Sequence, residues 1–509
     1  MKEISLNPRD YQLKIFETAK DNNTLVVLPT GLGKTLIALM LSVERQKKFP
    51  GKKILMLAPT RPLVEQHFKS YKKNLPELFA DLQLFTGSVP ARQRQKIFRT
   101  ADIIFSTPQC IVNDLQSGLY SLQDVSLLIV DEAHRCLKNY DYTKVVDFYK
   151  NQAPEELQRI LGLTASPGSD QDKVREICRH LNVNEIEIRS RDSPDVKPYL
   201  QELEFEKVVV PFPPEFLEIK LLLKKIFDAK VEELKKRNLL FGPPNKISLL
   251  KLQDSLGARY TNSKDFNAMI GMSLTAIAIK IAHALELLET QTLSGVNAYF
   301  NSLLEQAAQK KSKAVQNLVK SVEFNAAKIA LQNLLVKQIE HPKIEETAVL
   351  VEQQFKRKEN SKVIIFTQFR ETGSILTKRL NKIPGIRAQS FFGQAKKNGS
   401  GLSQKEQKEI IEKLNSGEIN VLVATSIGEE GLDIAEVSTV IFYEPIPSAI
   451  RKIQRAGRTA RLAPGKLIIL VTKDTRDVIH HYASSAREKR MYKVLESVRA
   501  DIKEEASKK

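Results

Sequence analysis

The chain has 509 residues, 42% of them apolar, which leaves room for about three folded domains and excludes a disordered chain. Its 79 Lys and Arg against 60 Asp and Glu give a formal net charge of +19, which suits a polyanionic partner and equally suits a charge-rich surface. Three cysteines without C-x-x-C spacing, no cleavable apolar leader and no run near the ~20 apolar residues of a bilayer span lead us to expect a soluble cytoplasmic protein, its thiols reduced and buried, with no membrane partner.

In chain order, the first third alternates short aliphatic strands with helices. The strands are expected at 24–28, 53–58, 82–85, 103–106, 127–130 and 160–163. Apolar runs bounded by turns and alternating with helices imply a parallel sheet covered on both faces, with its ligand loops at the carboxyl ends of the strands. After the first strand comes Pro29-Thr30-Gly31-Leu32-Gly33-Lys34-Thr35, then a helix-forming stretch. A glycine loop there lets backbone N–H groups face a phosphate, and the following helix N-terminus adds a favourable dipole. Lys34 then reaches the β- and γ-phosphates of ATP, and the Thr35 hydroxyl ligates Mg²⁺. The first glycine of the general phosphate-loop pattern is Leu28 here. About a hundred residues on, an aliphatic strand runs into Asp131-Glu132-Ala133-His134. That position fits Asp131 as the metal carboxylate and Glu132 as the general base or water-orienting group.

Residues 211–340 change to a helical pattern, broken by Gly242-Pro243-Pro244. Within it, 268–288 is apolar nearly all round and is expected as a buried helix, while Val315, Leu318, Val319, Val322, Ala326 and Ile329 are expected to share one apolar face. The α/β rhythm returns with strands expected at 363–367, 421–424, 439–443 and 467–471. From Ser485 onward, Met491, Val494, Leu495, Val498 and Ile502 fall at helical spacing, and this tail is expected to dock on the second α/β domain.

At the phosphate loop and the Asp-Glu-Ala-His stretch the chain resembles the superfamily II helicases of the DEAH-type spelling, whose remaining motifs follow in order. Arg9 and Gln12 look like the Q motif, which reads adenine. Arg61, within Ala58-Pro59-Thr60-Arg61-Pro62-Leu63, together with Thr86-Gly87 and Thr107, corresponds to the strand-contact motifs. Thr164-Ala165-Ser166 resembles motif III, which with His134 couples hydrolysis to domain movement. Thr367 lies in the motif IV match. Thr425, with Gly431 and Asp433 on the nucleotide side, lies in the motif V match. Gln454, Arg458 and Arg461 lie in the motif VI match, where the two arginines, three apart, share a helix face and would reach the γ-phosphate from the second domain. Ala460 stands where the family usually has glycine.

The resemblance implies an α/β fold of two RecA-like parallel-sheet domains with an all-helical insert between them. It places the ATP-binding domain at 1–200, the insert at 201–345, the C-terminal motor domain at 346–484 and a basic amphipathic tail helix at 485–509. Phe392-Gly393-Gln394-Ala395 and the spelling Gly-Glu-Glu-Gly-Leu-Asp-Ile at 428–434 look most like archaeal Hef and its Fanconi-anaemia M-type relatives, which act on forked and branched DNA. Gly393 and Gln394 are then strand contacts, and the insert a duplex grip shared with the RIG-I-like receptors and the Dicer helicase. Longer Hef proteins carry a nuclease signature after the motor. Glu488-Lys489-Arg490 imitates it poorly, so nuclease activity is not expected, and a separate nuclease or replication-factor partner stays open. Two alternatives also stay open: a duplex-RNA enzyme or sensor, and a nucleic-acid scaffold without turnover.

Overall fold

The computed structural model describes residues 6–393, 401–425, 437–446, 448 and 464–507. Two parallel sheets dominate it. The first is built from β1 (Thr24–Val27), β2 (Lys53–Leu57), β3 (Leu82–Phe85), β4 (Ile103–Ser106), β5 (Val125–Asp131), β6 (Ile160–Thr164) and β7 (Glu185–Ile188). Its strand order is β3-β4-β2-β5-β6-β1-β7. Helices α1 (Asp10–Asp21), α2 (Lys34–Lys48), α3 (Arg61–Asn74), α4 (Ala91–Thr100), α5 (Pro108–Gln116), α6 (Asp141–Gln152) and α7 (Gln171–His180) alternate with these strands. β1, β2, β4, β5 and β6 are buried along their whole length, as strands covered on both faces must be. One face packs Leu25, Leu55, Leu128 and Val130 among α5, α6 and α7; the other packs Val26, Met56, Ile129 and Leu163 among α1, α2 and α3.

The chain then enters the second sheet as β8 (Leu203–Val210) before any insert helix forms. This strand pairs with β13 in parallel register, Leu203 opposite Gly465 through Val210 opposite Thr472. The stretch 203–210, assigned to the helical insert from sequence, is therefore an edge strand of the second motor sheet. The insert follows as α8 (Leu217–Lys236), α9 (Lys246–Ser263), α10 (Phe266–Thr290), α11 (Leu293–Ala308), α12 (Lys313–Val319) and α13 (Val322–Val336). α10 is long and apolar enough to cross a bilayer by length and composition, which the sequence reading did not foresee. Here it is the central helix of the bundle, packed against α8, α9, α11 and α12. The single apolar face expected from Val315 to Ile329 does not form. Ser321 caps a new helix by accepting a bond from Phe324 N, and α13 buries Phe324, Ala327 and Leu331. Val322 and Ile329 are left 80% and 59% exposed, while Val315 and Leu318 remain in the core.

α14 (Lys343–Arg357), β9 (Val363–Phe366), α15 (Arg370–Leu380), β10 (Ala388–Phe391), α16 (Gln404–Ser416), β11 (Val421–Ala424), β12 (Thr439–Phe442) and β13 (Gly465–Thr472) complete the second sheet, in the order β10-β11-β9-β12-β13-β8. Last comes α17 (Arg476–Ser507). Its apolar stripe does not dock on the second domain. Met491, Val494, Leu495 and Val498 are buried in the core of the first domain, and Arg175 and Glu185 of that domain pair with Asp501 and Lys503. Periodicity identifies an apolar face but not the surface it will meet. Cys110, Cys136 and Cys178 are free and buried.

Candidate nucleotide and nucleic-acid site

The carboxyl edge of the first sheet divides into two halves. On β5, β6 and β1, side by side, end the chains that lead to Asp131, Thr164 and the phosphate loop. On β3, β4 and β2 end those that lead to Thr86, Thr107 and Arg61. Chemistry and strand contact are thus neighbours along one edge, as expected of ligand loops in parallel sheets.

The phosphate loop turns on Gly31 (φ 87°) and Gly33 (φ 79°), a region open to glycine at little cost. At Gly33 a Cβ would also meet Gln12 Nε2 at 2.3 Å. Pro29 and Leu32 are buried and Thr30 is half-buried, so the loop is seated against the domain. Leu28 N donates to Thr164 O (3.0 Å), tying the loop to β6. Lys34 Nζ donates to Leu28 O at 2.9 Å and so lies across the loop's own concavity. α2 begins immediately after Gly33; Leu36 N and Ile37 N donate to Gly33 O, so the amides that can turn to a phosphate are those of Lys34 and Thr35 at the helix's start. Beside the loop, Gln12 Nε2 and Tyr11 OH both donate to Leu32 O, at 3.1 and 2.8 Å, and Gln12 Oε1 accepts from Arg9 N at 2.8 Å. Arg9 and Gln12 therefore sit against the phosphate loop although α1 precedes it by a full strand.

Asp131 ends β5 and is buried. Burial opposes its charge, but His67, Lys34 and the backbone N–H of Glu132 outweigh burial and hold its carboxyl below the usual range. His67 is the residue that sequence reasoning missed. From α3 its Nε2 lies 2.8 Å from Asp131 Oδ2 and its Nδ1 3.5 Å from Thr35 Oγ1, so it links the two expected metal ligands. Glu132 adopts φ 51°, a left-handed conformation that costs a non-glycine residue about 1–3 kcal/mol and persists where surroundings over-determine it. Its Oε2 is buried and, although 3.2 Å from His134 Nδ1, has no hydrogen-bond donor among the described residues. His134 Nδ1 is bonded instead to Thr164 Oγ1 (3.2 Å), which also accepts from Ser166 N (3.2 Å). Ser166 Oγ reaches Met491 Sδ on α17 at 2.8 Å.

In the strand-contact half, Arg61 opens α3 and pairs with Glu65 (2.7 Å). Thr86 is buried, its hydroxyl 2.7 Å from that of Ser88, so exposed Gly87 and Ser88 present the turn. Thr107 stands half-buried at the N-cap position of α5, its side chain making no capping bond. Behind both turns, Arg94 bonds Asp114 of α5 and donates to Val89 O, fastening one turn to the next helix. The second sheet repeats the pattern, with Thr367, Gly393 and Thr425 following the adjacent strands β9, β10 and β11. Thr367 is fully buried and donates to Glu444 Oε2 (3.4 Å), while Glu444 Oε1 accepts from Gln368 N (2.5 Å). The Thr367 hydroxyl, expected as a strand contact, is thus spent inside the domain. Gly393 O accepts from Arg370 Nη2 (2.9 Å), and Thr425, also buried, donates its N–H to Phe391 O (3.2 Å). Gln394, Gly431, Asp433, Gln454, Arg458 and Arg461 lie outside the described residues.

Comparison with known proteins agrees with this layout. The DEAD/DEAH box helicase profile matches residues 9–174, the helicase conserved C-terminal domain 343–463, and between them the helical bundle of a putative ATP-dependent RNA helicase matches 215–339. The crystal structure of the Pyrococcus furiosus Hef helicase domain superposes with a TM-score of 0.70 at 42% identity, over 94% of this chain and 98% of that one. A putative ATP-dependent RNA helicase of Methanocaldococcus jannaschii is 36% identical over 98% of this chain and 62% of its own length. The ATP-dependent DNA helicase mph1 of Neurospora crassa is 33% identical over 92% and 41%, and the Fanconi anemia group M protein homolog of Mus musculus 32% over 96% and 26%. This chain spans between about a quarter and under two thirds of those three relatives. Two parallel sheets, a helical bundle between them, the described motifs along their strand ends and the likeness to the Hef helicase domain place the chain in the DEAD/DEAH-box helicases, in the branch of Hef and the Fanconi-anaemia M proteins.

Proposed function

We propose that the chain is an ATP-driven motor that translocates on forked or branched DNA and remodels it in repair or recombination. The observation that carries this is the divided carboxyl edge of the first sheet, where Lys34, Thr35, Asp131 and Glu132 lie beside the strand-contact turns. ATP phosphates lie on the phosphate-loop amides with Lys34 turned onto them. Glu132 Oε2, buried and without a donor among the described residues, accepts from the attacking water and orients it. Mg²⁺ fits at Thr35 and the ionised Asp131, a hydroxyl and one carboxylate being the sparse protein set this ion uses with nucleotides. When bound it neutralises phosphate charge. From His134, 3.2 Å from Glu132, the bonds through Thr164 and Ser166 lead to Met491 on α17, the helix that follows β13 of the second sheet. By resemblance, Arg458 and Arg461 approach the γ-phosphate from that domain, with Gln454, Gly431 and Asp433 beside them.

The basic surface of the insert supports a duplex grip. Lys225, Lys236 and Arg237 are each paired with a neighbouring glutamate, whereas Lys310, Lys311 and Lys313, around the turn between α11 and α12, are exposed and make no ion pair with a described residue. The name of the M. jannaschii relative favours a second reading, an RNA-directed motor. One experiment separates the two: ATPase stimulation by fork DNA, single strands, duplex DNA and duplex RNA. Fork DNA should stimulate most, and stimulation by duplex RNA alone would transfer the chain to the second reading. Glu132→Gln should bind ATP nearly normally and lose most turnover. Replacing Lys310, Lys311 and Lys313 with Gln should flatten the log-affinity against log-salt slope for fork DNA by about 0.9 for each phosphate no longer neutralised. Basal ATPase should stay near wild type.

A further inference from the structure

The connector from β7 to β8 carries the chain from the first sheet to the second, yet it does not leave the first domain directly. Arg189 pins it by pairing with Glu187 (2.9 Å) and Asp195 (2.8 Å), and Val196 is fully buried in the first domain's core. A single turn, Lys197–Tyr199, then brings Tyr199 onto the start of α1. The Tyr199 ring lies edge-on to Tyr11, centroids 5.7 Å apart, and its hydroxyl donates to Asp10 Oδ2 at 3.2 Å. Above that ring, at 5.2 Å, is the guanidinium carbon of Arg9, which also donates to Tyr11 OH at 3.3 Å. Tyr11 and Gln12 in turn bond Leu32 O of the phosphate loop.

These contacts define the side of the loop where a nucleotide base would lie. A guanidinium held against an aromatic ring by one face offers the other to a second planar group, and a purine is such a group. The Gln12 carboxamide, anchored at Leu32 O and Arg9 N, keeps a second N–H and a second lone pair, the complement of the adenine N6/N7 edge. Without Tyr199 the long Arg9 side chain would keep only its bond to Tyr11 OH, and the base would have to supply the remaining order at an entropic cost.

We propose that Tyr199, on the connector between the motor sheets, is a positioning residue of the base site: it holds the Arg9 guanidinium ready to stack on adenine. This rests on Arg9 and Gln12 being base contacts. The test is calorimetric binding of ADP, GDP and tripolyphosphate to the full chain, as wild type, Arg9→Ala, Tyr199→Leu, Tyr199→Phe and the Arg9→Ala/Tyr199→Leu double variant. Leu keeps apolar packing and deletes the ring face; Phe keeps the ring and deletes only the bond to Asp10. Tyr199→Leu should weaken ADP about three- to tenfold, the range of an aromatic–guanidinium contact, while the preference for ADP over GDP, set at the Gln12 edge, should be largely kept. Tripolyphosphate, which has no base, should bind as to wild type. Tyr199→Phe should stay near wild type, and the double variant should be no weaker than Arg9→Ala. Equal weakening of ADP and tripolyphosphate, or additive losses in the double variant, would overturn the proposal while leaving Arg9 a base contact. Unchanged ADP binding in Arg9→Ala would overturn the base-contact reading and this proposal with it.

Discussion

Two polar atoms 2.8 Å apart, His67 Nε2 and Asp131 Oδ2, show what single residues contribute. An ionised carboxylate this deeply buried is costly unless paired, and His67 supplies the pair. The Thr35 hydroxyl, 3.5 Å from the other ring nitrogen, is brought under the same control. His67→Ala should leave Asp131 buried with one oxygen stripped of its partner. We expect a loss of about 10–100-fold in Mg²⁺-dependent nucleotide affinity, as for other groups that orient metal ligands, with metal-free ADP binding little changed. The measurement is ADP affinity across a Mg²⁺ series, and an unaltered Mg²⁺ dependence would remove His67 from the site. Much of the site at this scale is legible from sequence, because Gly31, Gly33, Lys34, Thr35, Asp131 and Glu132 are local patterns next to strands. His67, Tyr199 and Glu444 are not, because each matters through a partner tens to hundreds of residues away that no spacing rule connects.

Strands and helices divide in the same way. β7, β8 and β10 were not foreseen, and each is at an edge of its sheet. Central strands are covered on both faces and read as aliphatic runs, whereas edges carry polar residues, as in the Glu-Ile-Glu-Ile of β7 or the glutamates of β8 that pair with Lys466. α17 poses the complementary problem. Its spacing reveals one apolar stripe, but only the fold shows that Arg476 is anchored on the insert, through Glu289 and Ala282 O, while Met491 is buried in the first domain. At about 1.5 Å per residue the 32-residue helix is a rod of roughly 50 Å, with roughly 20 Å of it between these two anchors. Met491→Ala should cost about 2–4 kcal/mol of stability, as large-to-small core changes do, and should also deprive Ser166 of its contact. Thermal unfolding checks the first effect. The second should appear as reduced stimulation of the ATPase by DNA with ADP affinity kept, and full stimulation in a folded variant would show that α17 merely packs.

Across the whole molecule, the insert and the second motor half are joined by a buried polar seam. Gln291 at the end of α10 reaches across to bond both Thr372 and Glu444, beside the fully buried ion pair of Lys343 (α14) with Asp477 (α17) on the second half's side. Next to them His341 Nε2 lies 3.3 Å from Glu289 O, and Glu289 itself pairs with Lys220. Burying so many polar groups stabilises little by itself but makes the joint specific, since breaking any one leaves another unpaired. Insert and second domain should therefore move as one body during the motor cycle. The seam also predicts a pH response. Burial, and then the charge of Lys343, push the His341 pKa down from 6.5 to about 3, although the Glu289 carbonyl acts the other way. In the window between those values the unfolded chain binds a proton that the folded chain refuses, so stability falls as pH falls. Above pH 6.5 the full contribution is present; below it the loss approaches about 1.4 kcal/mol per pH unit from this one group. His341→Gln, neutral at every pH, should be less stable at pH 8 because it disturbs the seam. Its melting temperature should nevertheless decline less steeply than that of wild type from pH 6.5 to 4.5. Melting curves of both proteins over that range give the difference, in which carboxylates common to the two cancel. Parallel declines would mean that His341 is protonated in the folded chain, and that the seam is wetter than its burial implies.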